Sequence, residues 1–183
     1  LNELRHFNFI KDERKFEDKE YKIVWRGVIH KENRRLLFEK HFGDQIFDIG
    51  TSREKNSKPE WRKPFLSIEE QLKNKFILSI EGIDVATNLK WIMSSNSLCF
   101  MPKPKFESWY MEGKLIPKYQ YVLINDDYSD VEEKMEFYNK NPDKATEIIK
   151  NAQLWTTMFK DKKLEKIISL LVVKSYFEKT NQL

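Results

Sequence analysis

The chain alternates short apolar runs with polar segments of helical period. Its first twenty residues, including Lys11-Asp12-Glu13-Arg14-Lys15, are charged and carry no clear period, so they read as an exposed lead-in or the remnant of a preceding segment. Residues 21–25 read as a short strand that Arg26-Gly27 breaks before a polar loop through Asn33. A helix follows over 34–42, with Leu36, Leu37 and His41 on one side and Gly43 as its stop signal. Residues 45–49 form the next strand, closed by Gly50, and 51–64 read as a polar surface loop. Ser67 and Glu70 make a capping box for a short helix over 68–73, ahead of a strong strand at 75–80 that ends at Glu81-Gly82. A helix at 87–94, a strand at 97–101, a short helix at 107–112 and a strand at 121–124 complete the alternation.

The last third turns helical. Ser129 and Glu132 repeat the capping-box spacing before a helix at 131–139, and Asn141-Pro142 places a cap and then proline at the first helical position of the next one. Leu164, Ile167, Ile168, Leu171 and Val172 recur at helical spacing, which predicts a final helix laying an apolar stripe on the body. Strand and helix alternating from 21 to 124 predict an α/β fold: a Rossmann-like, mainly parallel sheet with helices on both faces. Ligands in such sheets sit beyond the carboxyl ends of the strands, where Arg26-Gly27, Glu81-Gly82 and residues 102–107 fall.

Composition narrows the partner. The chain has 183 residues, 40% of them hydrophobic, enough for one sizeable core, and its 14% aromatic content sets disorder aside. Lys and Arg number 33 against 29 Asp and Glu, a mildly basic balance that suits an anionic small ligand or an acidic membrane surface. It lacks the concentrated basic stripe of a nucleic-acid binder, and no nucleic-acid partner is expected. Cys99, inside an apolar run, reads as a buried and inert thiol suited to a reducing compartment. No stretch reaches the roughly 18 apolar residues of a membrane span, and the N-terminus lacks a signal peptide's apolar core. The chain opens on Leu1, consistent with a piece of a longer protein.

Three clusters could carry chemistry. Trp25-Arg26-Gly27 with Arg34 puts one guanidinium at a strand end and another near a helix start, where bidentate bonds and free amides would hold a phosphate. The plainer reading of the two arginines is solvated surface charge. Gly82 would let the backbone approach a ligand, with Asn88 and Lys90 as donors from the next helix, although an ordinary strand-to-helix turn has the same composition. Glu107 could accept the hydroxyls of a ribose while Trp109 covers a ring, or Trp109 could be core and Glu107 a surface residue. His6, His30 and His41 lack partners at ligand spacing, so no metal site is expected. Asp126-Asp127 are explained as acidic residues before a helix start.

In order, these segments resemble the CAP10-like glycosyltransferases, glycosyltransferase family 90. The resemblance rests on Trp25-Arg26-Gly27 through Arg34, on 75–100 with its Ser-Asn-Ser strand, on Glu107-Ser108-Trp109-Tyr110, Leu115-Ile116-Pro117 and Tyr121-Val122, and on Asp127-Tyr128-Ser129-Asp130. Asn88-Leu89-Lys90-Trp91 and Met111-Glu112-Gly113 are most similar to the bacterial lipopolysaccharide branch. Two positions depart from the pattern: many members carry arginine at Asn88 and histidine at Gln120.

The resemblance implies the C-terminal lobe of a GT-B enzyme, with 1–20 a lead-in, 21–160 the nucleotide-sugar-binding domain and 161–183 a closing helix. It implies inverting transfer of a hexose or pentose from a UDP-sugar to a glycan or lipopolysaccharide acceptor, with no cofactor and no obligatory metal. It places the protein in the cytoplasm with peripheral contact at the inner membrane. The catalytic base is expected from the other lobe, so no catalytic residue is named. In that frame Arg26, Arg34 and Lys90 neutralise the diphosphate, Gly82 and Asn88 shape the phosphate turn, and Glu107 with Trp109 holds the nucleoside. The alternative is a non-enzymatic α/β module for an acidic partner or membrane surface.

Overall fold

The computed structural model describes residues 9–51 and 57–182. Five strands, β1 (Glu20–Arg26), β2 (Phe47–Gly50), β3 (Asn74–Leu78), β4 (Leu98–Met101) and β5 (Val122–Leu123), form one sheet in the order β2-β1-β3-β4-β5. Every neighbouring pair is parallel, with Val24 opposite both Asp48 and Ile77, and Ile77 opposite Cys99. A parallel strand is covered on both faces and therefore reads as a continuous apolar run, as Ile23-Val24-Trp25 and Phe76-Ile77-Leu78 do.

Side chains alternate across the sheet. Ile23, Trp25, Phe76, Leu78, Leu98 and Phe100 face one core, which is closed by Leu37 and Phe38 of α1 (Glu32–His41) and by Val131, Met135 and Tyr138 of α4 (Val131–Lys140). Val24, Ile77, Cys99 and Met101 face a second core with Leu89, Trp91, Ile92 and Met93 of α3 (Leu89–Met93). The short α2 (Ile68–Gln71) precedes β3, and α5 (Pro142–Thr157) reaches both cores through Ala145 and Ala152. Phe76 sits at the centre, its ring edge-on to Phe16, Tyr21 and Phe100. The doubly wound arrangement expected from the strand and helix alternation is the one observed.

Several local expectations are met. Ser67 and Glu70 form the reciprocal capping box, Pro142 opens α5, and Gly43, at φ 104°, ends α1. Cys99 is buried, and burial pushes its thiol pKa up.

Other expectations are corrected. The described part of the lead-in is exposed at Lys11, Glu13, Arg14 and Lys15, as expected, but not throughout. Phe16 enters the first core, and the Lys19 ammonium, whose side chain is 0% exposed, donates to Asp12 Oδ2 at 2.7 Å, Leu72 O at 2.5 Å and Ser97 Oγ at 2.9 Å. Asp12 also accepts from the Asn96 amide at 2.9 Å, so this segment ties the amino-terminal edge of the sheet together across more than eighty residues. A mixed-charge sequence without period conceals this because its key contacts are long-range.

Ser129 does not cap α4. Asp130 occupies the N-cap, and the Ser129 hydroxyl donates instead to Asp127 Oδ1 at 2.6 Å. Residues 107–112 form turns rather than a helix, with a 3-10 turn only at Glu112–Lys114. The final helix α6 (Lys162–Lys179), capped by Asp161, buries none of its residues against the described body. Leu164, Ile167, Ile168, Leu171 and Val172 are exposed, and so are Leu170 and Val173 on other sides of the helix. Its apolar residues run round the axis instead of forming one stripe. No described helix is long and apolar enough to cross a membrane.

Removing the carboxylate from the Lys19 knot leaves a buried ammonium with only neutral acceptors. Asp12→Ala should therefore cost about 3–5 kcal/mol, measured as the loss of unfolding free energy in urea.

Candidate functional site

In a parallel sheet ordered β2-β1-β3-β4-β5 the chain leaves β1 and β3 in opposite lateral directions, which opens a crevice beyond their carboxyl ends. An open cleft of about 490 Å³, counting the solvent at its mouth, lies at this edge. It is lined by Ser79 and Glu81 after β3, by residues 101–105 after β4, by Asp126 and Tyr128 after β5, and by Asn33 of α1.

Arg34 forms the strut between β1 and β3. Its guanidinium donates to Val28 O at 2.8 Å, Ile80 O at 2.7 Å and Glu81 O at 3.2 Å, and it lies over the Trp25 ring at 5.3 Å. Burial lowers its pKa, but guanidinium keeps its charge, so a positive centre is fixed at the crevice on carbonyl dipoles. Two glycines make room for it. A Cβ on Gly27 would lie 2.5 Å from the Trp25 ring, and one on Gly82 would lie 2.9 Å from Arg34 Nη2.

The turn after β3 is held by Asn88, which donates to Leu78 O at 2.9 Å and accepts from the Ser79 hydroxyl at 3.2 Å. Glu81 reaches across to the loop after β4, where its carboxylate accepts from the backbone amides of Lys105 at 3.1 Å and Phe106 at 3.0 Å. Lys105 in turn pairs with Asp126 at 3.0 Å on the exposed rim.

Lys90 does not present its charge to the cleft. It is buried against Glu112 Oε1 at 2.9 Å, the two side chains being 4% and 2% exposed, with Ser108 Oγ at 3.3 Å and the Tyr110 ring at 5.5 Å. Burial pushes the Glu112 carboxyl pKa up, but the Ser108 amide and Lys90 outweigh it and hold the carboxyl below its ordinary range. Lys90 anchors α3 to the loop that carries Glu112, which itself lines the cleft.

Arg26 is also committed elsewhere. It donates to Asp48 Oδ1 at 2.9 Å and to the carbonyls of Trp25, Asp48 and Pro64, and Lys63 shares Asp48. Strand alternation sends it to the face opposite Trp25, away from Arg34. Glu107 is exposed beside Gly113, whereas Trp109 packs edge-on to Tyr110 and Phe159 in the second core. The structure thus gathers Trp25, Gly27, Arg34, Gly82 and Asn88 at one edge. It separates Arg26, Lys90 and the Glu107–Trp109 pair from them, each for a partner that the spacing of the sequence does not show.

The sequence reading missed Asn33, Ser79 and Tyr128, and it marked the segments of Glu81, Lys103 and Lys105 as the ligand edge without giving these residues a role. Glu81, Lys103 and Lys105 carried a signal, since they follow strand ends. Tyr128 carried none, since it is an aromatic residue at φ 60°, fully buried. Its turn is pinned from three sides. Asp127 Oδ1 accepts from the Ser129 hydroxyl and amide, Lys40 donates to Asp127 O at 2.9 Å, and His41 Nε2 meets Tyr128 O at 3.0 Å.

His41 does have carboxylate neighbours, contrary to expectation: Asp44 at 3.4 Å and Glu132 at 3.6 Å from Nδ1. Both are exposed, and the ring is already committed to Tyr128 and stacked on Phe47 at 4.1 Å. His6 lies outside the described residues.

Two outcomes follow from this wiring. Lys90→Met strands a buried carboxylate and should cost about 3–5 kcal/mol in urea unfolding, with much of the loss recovered when Glu112→Gln is added. The hydroxyl and amide of Ser129 hold the Asp127 pKa at about 2, below its ordinary 3.8. A depressed carboxyl stabilises the folded state fully above the unfolded value, so this contribution should persist above about pH 4 and fade between about pH 4 and pH 2. Carboxyl NMR titration of Asp127 with a midpoint near 2 checks it.

Comparison with known proteins agrees with the fold. The family model for glycosyl transferase family 90 matches residues 2–172. The O-glucosyltransferase LpsA of Dichelobacter nodosus is 43% identical over 178 residues, covering 97% of this chain and 56% of that protein. The chain thus spans little more than half the length of this relative. With the match running from the first strand into the last helix, the chain belongs to glycosyl transferase family 90.

Proposed function

We propose that this chain holds the sugar-nucleotide donor of a glycosyltransferase, with the donor diphosphate lying in the cleft beyond β3 and β4. One observation carries the reading: in a chain of this family, a cleft lined by both polar and apolar residues lies beyond the carboxyl ends of parallel strands, beside a fixed guanidinium. Arg34 supplies a permanent positive field from below, and at the rim Lys103 and the Asp126-paired Lys105 add further cationic groups. Asn88 and Gly82 shape the turn without spending a side-chain donor on the ligand.

The donor in this reading is a UDP-sugar. The similarity to an O-glucosyltransferase favours glucose as the group transferred. The acceptor is a glycan of lipopolysaccharide or another surface polysaccharide, met at the cytoplasmic face of the membrane. Transfer inverts the anomeric centre and needs no metal to bridge the phosphates. Proton abstraction is assigned to a carboxylate outside this nucleotide-holding lobe.

Isothermal titration with UDP tests the reading. The expected result is saturable one-to-one binding that weakens roughly tenfold or more when Lys103→Glu and Lys105→Glu are combined, since two charges near the phosphates change sign. Absence of UDP binding, or binding indifferent to the reversal, would overturn it.

A further inference from the structure

Among the described residues, two buried side-chain polar atoms have no hydrogen-bond partner: Asn33 Oδ1 and Tyr128 Oη. Native proteins rarely leave such atoms unpaired, because the lost hydration is not repaid. Both residues line the same cleft. That coincidence separates them from ordinary packing defects.

Tyr128 carries a second anomaly. Its backbone sits at φ 60°, which disfavours a bulky side chain, and its side chain is nonetheless fully buried. The neighbouring turn over-determines this conformation. Tyr128 N donates to Asn125 O at 3.0 Å, Tyr128 O faces His41 Nε2, and Asp127 is fixed by Ser129 and Lys40. Strain held this firmly, in a residue whose hydroxyl then bonds nothing, is intelligible if the hydroxyl is being presented to something else.

The chemistry of the two atoms differs, which narrows the ligand. Asn33 Nδ2 donates to Glu81 O at 3.1 Å. A carbonyl oxygen only accepts, so the amide orientation is settled and the open atom, Oδ1, is an acceptor. Tyr128 Oη can donate. Burial pushes its pKa up, more than the nearby Arg34 charge pulls it down, so the hydroxyl keeps its proton. A complementary molecule offers an O–H or N–H to Asn33 and an oxygen to Tyr128, and the Arg34 field favours negative charge on that oxygen.

We infer that Tyr128 and Asn33 are donor-contacting residues: the Tyr128 hydroxyl donates to a phosphate oxygen of the nucleoside diphosphate, and Asn33 Oδ1 accepts from a hydroxyl of the same ligand. This rests on the nucleotide-sugar reading above and assigns it two side chains outside its Arg and Gly motifs. The strained turn after β5 is then a positioning device, with His41 and Lys40 holding Tyr128 in place from α1.

Tyr128→Phe is the decisive variant, because it removes one oxygen that bonds nothing in the unliganded protein and keeps the ring. Titration with UDP, alongside the melting temperature, should show affinity falling roughly tenfold or more, as for a lost hydrogen bond to a charged group, with the melting temperature unchanged or raised. Asn33→Ala should also weaken binding, but with a lower melting temperature, because the contact to Glu81 O is lost as well. If the wild type binds UDP and Tyr128→Phe binds it equally well, the inference falls and the donor reading stands. A Tyr128→Phe protein that melts lower would show that the hydroxyl has a structural partner, and would also overturn the inference. If the wild type binds no UDP, the donor reading fails and takes the inference with it.

Discussion

The Arg34 guanidinium is the constraint around which this edge of the molecule is arranged. It sits on three main-chain carbonyls from two strand ends and against an indole face, with no carboxylate among the described residues in contact. A buried cation is tolerated only where dipoles or anions answer its charge, and here carbonyl oxygens do so. The consequences propagate outward. Gly27 must lack a side chain for Trp25 to lie flat, Gly82 must lack one for the guanidinium to fit, and the turn after β3 must be fastened independently through Asn88. The fixed charge at the crevice is thus also a structural member of it.

A second cation shows the opposite solution. Lys90 is neutralised internally by Glu112, in a pair shielded from water and completed by Ser108. Such a pair contributes order more than stability, since the desolvation of two ions offsets most of their attraction. It fixes the loop between β4 and β5 relative to α3 and so fixes one wall of the cleft. The resemblance gives the two cations one task, and the structure gives them different surroundings.

Much of the fold was legible because a parallel sheet writes its strands as apolar runs and its ligand edge as the polar residues that follow them. Residues 75–80 and 97–101 are of this kind, and Arg34 was found because it opens a helix beyond the first strand. The failures have a common physical cause. Lys90, Arg26 and Lys19 look alike in sequence, and only the partner decides whether each is solvent-facing, structural or ligand-facing. Those partners stand 22, 22 and 7 residues away, with further contacts of Lys19 at 53 and 78. Tyr128 was invisible for a different reason, since residue type argues against a positive φ that the surrounding turn imposes. The α6 stripe misled because apolar residues at helical spacing fix a helix but not what covers it.

The strand order also bears on how the chain reaches this state. β1 is flanked by β2 and β3, so a ribosome that has released residues up to Gly50 has made only one side of it. The other edge of Ile23-Val24-Trp25 stays unpaired until residues 74–78 emerge, and loop closure over that span is slow beside local helix formation. During that interval the nascent chain exposes an apolar strand edge of the kind that recruits other chains. The Lys19 contacts to Leu72 O and Ser97 likewise cannot form until those residues have emerged, so the charged segment before β1 is fastened only after its central partner strand is made.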